Sequence, residues 1–228
     1  MGKYDFRIDG IDNRTAHGKV LGRVPEGSTV LECGCATGYM TRYMTERLGC
    51  TVYVAEIDAD AFREAMRYAK DGWRCDLDDT AWHEWFDGAG LRFDRVLFAD
   101  VLEHLRNPQE TLRGAAGLLK DDGRVIVSVP NVCHNDVILK MLEDRWDYTR
   151  FGLLDDGHIR FWGCGNMTEF FQGAGLKVES ADMVTINTGH TEQWRGRFGE
   201  RQRRNADFLK MVHPTGEIYQ YVYTLRRA

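Results

Sequence analysis

Short apolar runs and helically spaced apolar residues take turns along the first 130 positions. Residues 13–24 set Ala16, Val20 and Leu21 at helical spacing. Pro25, Glu26, Gly27 and Ser28 then break the chain before a short apolar run, Val30-Leu31, that reaches Glu32 and opens into a loop of small residues. Residues 39–48 read as a helix, 51–56 (TVYVAE) as a second strand, and 61–70 as a helix with Asp58 or Asp60 as its cap. A third strand covers 73–75 and ends at Asp76, and a fourth covers 93–99. Pro108 opens a helix running to 119, residues 121–123 turn, and a fifth strand covers 124–129. This alternation predicts an α/β fold: a doubly wound, mostly parallel sheet with helices on both faces.

After Pro130 the pattern changes. Residues 131–168 carry Trp146, Tyr148, Phe151, Phe161 and Trp162, and predict a small aromatic-rich cap over the ends of strands four and five. A helix over 168–173 stops at Gly173-Ala174-Gly175, a sixth strand spans 176–186, and residues 192–211 read as a charged helix. Aromatic and β-branched residues alternate over 219–225, the last strand. A single domain over 1–228 accommodates this order, with 131–172 and 187–216 as substrate-side cap segments.

Composition narrows the function. At 228 residues and 43% hydrophobic, the chain is long enough for one full core. Its net charge of −5 argues against a general nucleic-acid binder. No apolar run approaches the ~20 residues that span a bilayer, and the first residues are charged where a signal peptide is apolar, so no membrane partner and a cytoplasmic location are expected. The cysteines (Cys33, Cys35, Cys50, Cys75, Cys133, Cys164) form no Cys-x-x-Cys pair, so reduced thiols and no metal are expected.

The chemistry concentrates at residues 32–38, ECGCATG. A dinucleotide fingerprint counted from Gly34 would need glycine at Ala36 and Tyr39, so a nicotinamide or flavin dinucleotide is disfavoured. No Gly-Lys-Ser or Gly-Lys-Thr follows, which removes a phosphate loop. What remains is an acid, a glycine loop, and a second acid, Glu56, at the end of strand two.

That constellation resembles the Rossmann-like, class I S-adenosylmethionine-dependent methyltransferases over nearly the whole chain. Glu32 to Gly38 match the family's first motif, Glu56 the acid that binds both ribose hydroxyls, Cys75-Asp76-Leu77 the segment bordering adenine, Asp100 to His104 the stretch after strand four, and residues 123–131 strand five with its exit. Ala36, where the family often has glycine, and Glu32, where aspartate is commoner, are the departures. The resemblance implies a final antiparallel strand, S-adenosylmethionine as cofactor with S-adenosylhomocysteine as product, and a cofactor site of Glu32, Gly34, Cys35, Ala36, Gly38, Tyr39, Glu56, Ile57, Asp76, Leu77, Ala99, Asp100 and His104. The physics agrees: loop amides suit a carboxylate or close sugar approach, and an acid after strand two suits a neutral diol.

Residues 128–134 (SVPNVCH), 145–148 (RWDY) and 152–161 (GLLDDGHIRF) resemble a narrower group of these enzymes, common in natural-product, peptide-tailoring and cell-surface-glycan pathways. The implied function is O-methylation of a hydroxyl or carboxylate on a small-molecule or peptide acceptor. An N-methyltransferase and a non-catalytic adenosylmethionine-binding protein are the alternatives. His134 is expected as base or acceptor-orienting group, against a helix N-terminal histidine in solvent. His158 is expected to support it or to hold the cap together, and Arg160 to grip an anionic acceptor or to pair with Asp155 or Asp156. The basic run 194–204 either attracts an anion or is a solvated helix.

Overall fold

The computed structural model describes residues 10, 12–185, 200, 203–205, 208, 213 and 215–228. Seven strands form one sheet in the order β3-β2-β1-β4-β5-β7-β6: β1 Thr29–Cys33, β2 Thr51–Glu56, β3 Asp71–Arg74, β4 Phe93–Ala99, β5 Leu119–Pro130, β6 Leu176–Thr185 and β7 Ile218–Arg227. Strands β1 to β5 run parallel, and β7 is antiparallel to both β5 and β6. The final strand thus inserts between β5 and β6. The chain reverses its winding between β1 and β4, and the crevice beyond the strand ends at such a switch point is where α/β sheets bind ligands.

Period-two alternation explains why both sheet faces are dry. Leu31, Cys33, Val96, Phe98, Val125, Val127 and Val129 point into one core with Phe86, Phe93, Leu112 and Phe171. Val30, Val52, Val54, Leu97, Ile126 and Val222 point into the other with Val20, Leu21, Met40 and Met44. A strand buried on both faces reads as a continuous apolar run, as these do.

The helices are α1 Ala16–Leu21, α2 Tyr39–Leu48, α3 Ala59–Ala65, α4 Glu84–Gly88, α5 Pro108–Gly117, α6 Asn135–Met141 and α7 Cys164–Gly173. Asp58 caps α3 as expected, accepting from the amides of Asp60 and Ala61. Several bounds differ from expectation: α3 ends at Ala65, β3 starts at Asp71, β5 starts at Leu119, and α7 starts at Cys164. Helix α4 is not among the elements read from the sequence, and α6 enters there only as the helix whose N-terminus His134 would occupy. No helix among the described residues is long and apolar enough to cross a membrane.

The aromatic segment folds back over the sheet end. Asn131 and Trp162 form a bridge, and the amides of Ile159 and Arg160 donate to the Glu103 carbonyl. Val137, Leu153 and Leu154 make its small core with Val132, Phe161 and Tyr219.

Candidate cofactor and acceptor site

The loop after β1 is shaped by how closely the chain packs on itself. Gly34 has φ +69, and a Cβ there would lie 2.6 Å from Val101 Cγ2. Gly38 has φ +80, and its Cβ would lie 2.6 Å from Ala65 Cα, a backbone atom that cannot swing aside. Gly38→Ala is therefore expected to destabilise by about 2–4 kcal/mol, combining left-handed strain with overpacking. A drop in the thermal midpoint checks this, and Ala65→Gly should restore little because Cα stays in place. Ala36 itself sits at φ 48, and its amide donates to Glu56 Oε2 at 2.9 Å. Glu56 Oε1 accepts from the amides of Ile57 (2.9 Å) and Asp58 (3.0 Å). Three backbone donors thus hold this carboxylate at the end of β2.

Glu32 lies behind the loop, not in it. It is 1% exposed, and Thr41 Oγ1 on α2 donates to its Oε2 at 2.5 Å, while Oε1 has no hydrogen-bond partner among the described residues. Burial pushes its carboxyl up from 4.5 to about 8, against the Thr41 hydrogen bond and with Glu56 adding to the rise.

A cavity of about 1820 Å³ opens over the strand ends. Ligand pockets commonly hold ~300–1,000 Å³, so this one accommodates two ligands side by side. One end is lined by Gly34, Ala36, Glu56, Ile57, Asp76 and Leu77. Ile57 and Leu77 offer apolar surface there, and the Asp76 carboxylate also accepts from the Asp78 amide at 2.9 Å.

The other end gathers titratable groups. Asp100, at φ 57, accepts through Oδ1 from Ser128 Oγ (2.6 Å) and Gln220 Nε2 (2.8 Å). Its Oδ2 lies 3.8 Å from His17 Nε2, which is 3.1 Å from the Tyr39 hydroxyl. Beyond it stand Glu103, His104 and His158, with Phe151, Ile159 and Tyr219 as apolar walls. Burial holds Glu103 well above the usual carboxylate range. Burial, then His104, lowers His158.

Of the residues expected at the cofactor, Gly34, Ala36, Tyr39, Glu56, Ile57, Asp76, Leu77, Ala99, Asp100 and His104 line this cavity, whereas Glu32, Cys35 and Gly38 do not. On the acceptor side His158 lines it; His134 and Arg160 do not. His134 is a correction. Its Nδ1 caps α6 by accepting from the Asp136 amide at 3.2 Å, and the ring is 3% exposed and packs edge-on to Tyr219. It is a helix N-terminal histidine, buried and not in solvent. Arg160 is a second correction: its guanidinium donates to the Arg106 carbonyl at 2.5 Å, neither facing the cavity nor meeting the two aspartates. The 194–204 run and the 187–216 cap segment lie mostly outside the described residues. Sequence reasoning missed His17, Glu103 and Gln220. Gln220 had a signal, as the polar residue between Tyr219 and Tyr221.

Comparisons with known proteins agree with this geometry. A sequence profile described as "Methyltransferase domain" matches residues 13–181. A ubiquinone biosynthesis O-methyltransferase of Dinoroseobacter shibae is 34% identical over 180 residues, 74% of this chain and 67% of that protein. One from Caulobacter sp. is 36% identical over 116 residues, so the match spans 48% of this chain and only 44% of the relative's length. The magnesium protoporphyrin IX methyltransferase of Synechocystis PCC 6803, solved with bound SAH, shares the fold at TM-score 0.60 and 16% identity, covering 94% of this chain and 83% of that one.

Proposed function

The chain belongs to the methyltransferase-domain family, and from that premise we propose that it is an S-adenosylmethionine-dependent O-methyltransferase acting on a hydroxyl of a small-molecule or peptide natural product. The observation that carries this reading is that one cavity joins both sets of residues. One end has the acceptors and apolar surface for an adenosine: Glu56 to accept from the ribose diol, Ile57 and Leu77 for the base faces, and Asp76 to accept from the adenine amino group. The other end has acids, imidazoles and aromatic walls beside Asp100. Bound at the first end, S-adenosylmethionine supplies a methyl carried on a sulfonium cation. The chain's own task is to hold the acceptor in line with that methyl, which is a large part of the barrier reduction.

His17 takes the acceptor proton in this reading, and Asp100 is its positioning residue. Asp100 suits that role because Ser128 and Gln220 both donate to Oδ1 and leave Oδ2 3.8 Å from His17 Nε2, an electrostatic approach longer than a hydrogen bond, while the Tyr39 hydroxyl lies 3.1 Å from the same nitrogen. His158 suits it less. Its Nδ1 is 3.2 Å from the Leu153 carbonyl and its Nε2 is 3.9 Å from Glu103, so both nitrogens face the protein. The ubiquinone biosynthesis O-methyltransferases among the relatives support oxygen as the acceptor atom.

Two experiments test the proposal. Methyl-labelled S-adenosylmethionine is offered with a catechol, an aliphatic carboxylic acid and a primary amine, and label is expected in an ether. Label only in the N-methyl product would favour the amine alternative, and label only in an ester would favour the carboxylate one. His17→Ala should then lower kcat by about 100-fold, the lower range for general-base catalysis, with S-adenosylhomocysteine affinity unchanged. An unchanged kcat would remove His17 from the base role.

A further inference from the structure

We infer that Glu103, His104 and His158 form a binding site for one divalent metal ion at the acceptor end of the cavity. Each offers one ligand atom, and these atoms lie within 4.8 Å of one another. A tetrahedral cation with ~2.1 Å bonds sets its ligand atoms ~3.4 Å apart, so the 3.9 Å pair His158 Nε2–Glu103 Oε1 closes by about half an ångström and no pair by more than about 1.4 Å. All three residues line the cavity.

Hydrogen bonding shows why the cluster suits a cation. The Glu103 side chain is fully buried, and neither of its carboxylate oxygens has a hydrogen-bond partner among the described residues. A buried carboxylate with no donor is costly, and such groups are normally paired or bound to metal. His104 Nδ1 lies 2.9 Å from the Gly157 carbonyl, and His158 Nδ1 lies 3.2 Å from the Leu153 carbonyl. A carbonyl only accepts, so both rings carry their proton on Nδ1 and their lone pair on Nε2. Metal-binding histidines are oriented in this way, by donating the other ring nitrogen to a backbone carbonyl. The His158 Nε2 faces Glu103 Oε1 at 3.9 Å, too far for a hydrogen bond yet a fitting separation for two ligands of one ion. The rings stand edge to face at 4.8 Å.

The scaffold is tied at this point. Ile159 and Arg160 donate their amides to the Glu103 carbonyl, which fixes the 158 loop against the short 3-10 turn Leu102–His104. Two imidazoles and one carboxylate suit the borderline cations, zinc, cobalt, manganese or iron(II), and three protein ligands leave positions open to the cavity. This departs from the expectation of no metal. The site stands on its own residues. Its consequence for the reaction rests on the proposed function: a cation here would bind the acceptor oxygen and favour a hydroxyl ionised next to it, above all one of a vicinal diol or catechol.

Cobalt(II) is the probe. The chelator-treated full chain is titrated while visible d–d absorption is followed, and a parallel calorimetric titration with S-adenosylhomocysteine is run on the same preparation. One cobalt per chain is expected, without a near-ultraviolet thiolate band, and Glu103→Gln and His158→Gln should each weaken binding at least 100-fold. His83→Asn, remote from the cluster, should bind as wild type. Failure of wild type to bind cobalt up to millimolar concentration, a thiolate band, or wild-type binding by either cluster variant overturns the site. If one variant does not fold by circular dichroism, the other decides. Because S-adenosylhomocysteine binding is read separately, failure of the methyltransferase reading appears as absent heat with the cobalt band intact.

Discussion

Glu56→Gln is expected to lower S-adenosylhomocysteine affinity about a thousand-fold. The carboxylate is held at the cavity wall by the amides of Ala36, Ile57 and Asp58, and two ribose hydroxyls bring the donors to five on about four lone-pair sites, so one site is shared between two donors. Acceptance from both ribose hydroxyls is charge-assisted, at ~1.5–3 kcal/mol each. A glutamine loses the charge and turns an NH2 group toward backbone donors, so the loop itself shifts. Glu56→Asp keeps the charge at shorter reach and should fall between. Titration calorimetry at a temperature where all three proteins are folded checks the order, and equal affinity in Glu56→Gln would remove the ribose role.

The pH dependence of stability should come from two buried carboxyls raised in the same direction, Glu32 and Glu103, of which Glu32 is the one that does not line the cavity. Its carboxyl is pushed up from 4.5 to about 8 by burial, so between those values the folded state keeps a proton that the unfolded chain has released. Stability therefore falls as pH rises through that window and levels off above it, by roughly 3–6 kcal/mol. Glu32→Gln, which keeps the shape and the acceptor for Thr41 without the charge, should make the profile shallower, leaving the part that comes from Glu103, and be the more stable protein at pH 8. Thermal midpoints measured from pH 5 to 9 check this. A wild-type midpoint that rises with pH across the window would contradict it.

The sheet was legible because its strands alternate between two buried faces, and the turns between them carry Gly, Pro and Asp at the positions the backbone needs. The cofactor half was legible for a related reason: its residues sit at strand ends, whose order the alternation already sets. Its glycines meant something different from what their spacing suggested. Gly38 serves α3, whose Ala65 lies against it, and not the ligand. The acceptor half was less readable. His134 reads as catalytic from its nearness to strand five and Arg160 from its charge in the 152–161 motif, but their directions depend on how the 131–162 segment returns to the sheet. That return rests on contacts such as His104 to Gly157, 53 residues apart. Helices α4 and α6, at five and seven residues, are too short for a periodic signal. His17 reaches Asp100 from the other end of the chain, and no local pattern announces that meeting.

The central claim is that the cavity at Glu56 takes an adenosine-bearing sulfonium cofactor. Calorimetric titration of the wild-type chain with S-adenosylhomocysteine, in the presence and absence of NAD, tests it most directly. One-to-one binding at about micromolar affinity, in the usual range for enzyme ligands and unaffected by NAD, is the predicted result. No heat up to millimolar S-adenosylhomocysteine, or displacement by NAD, would contradict it.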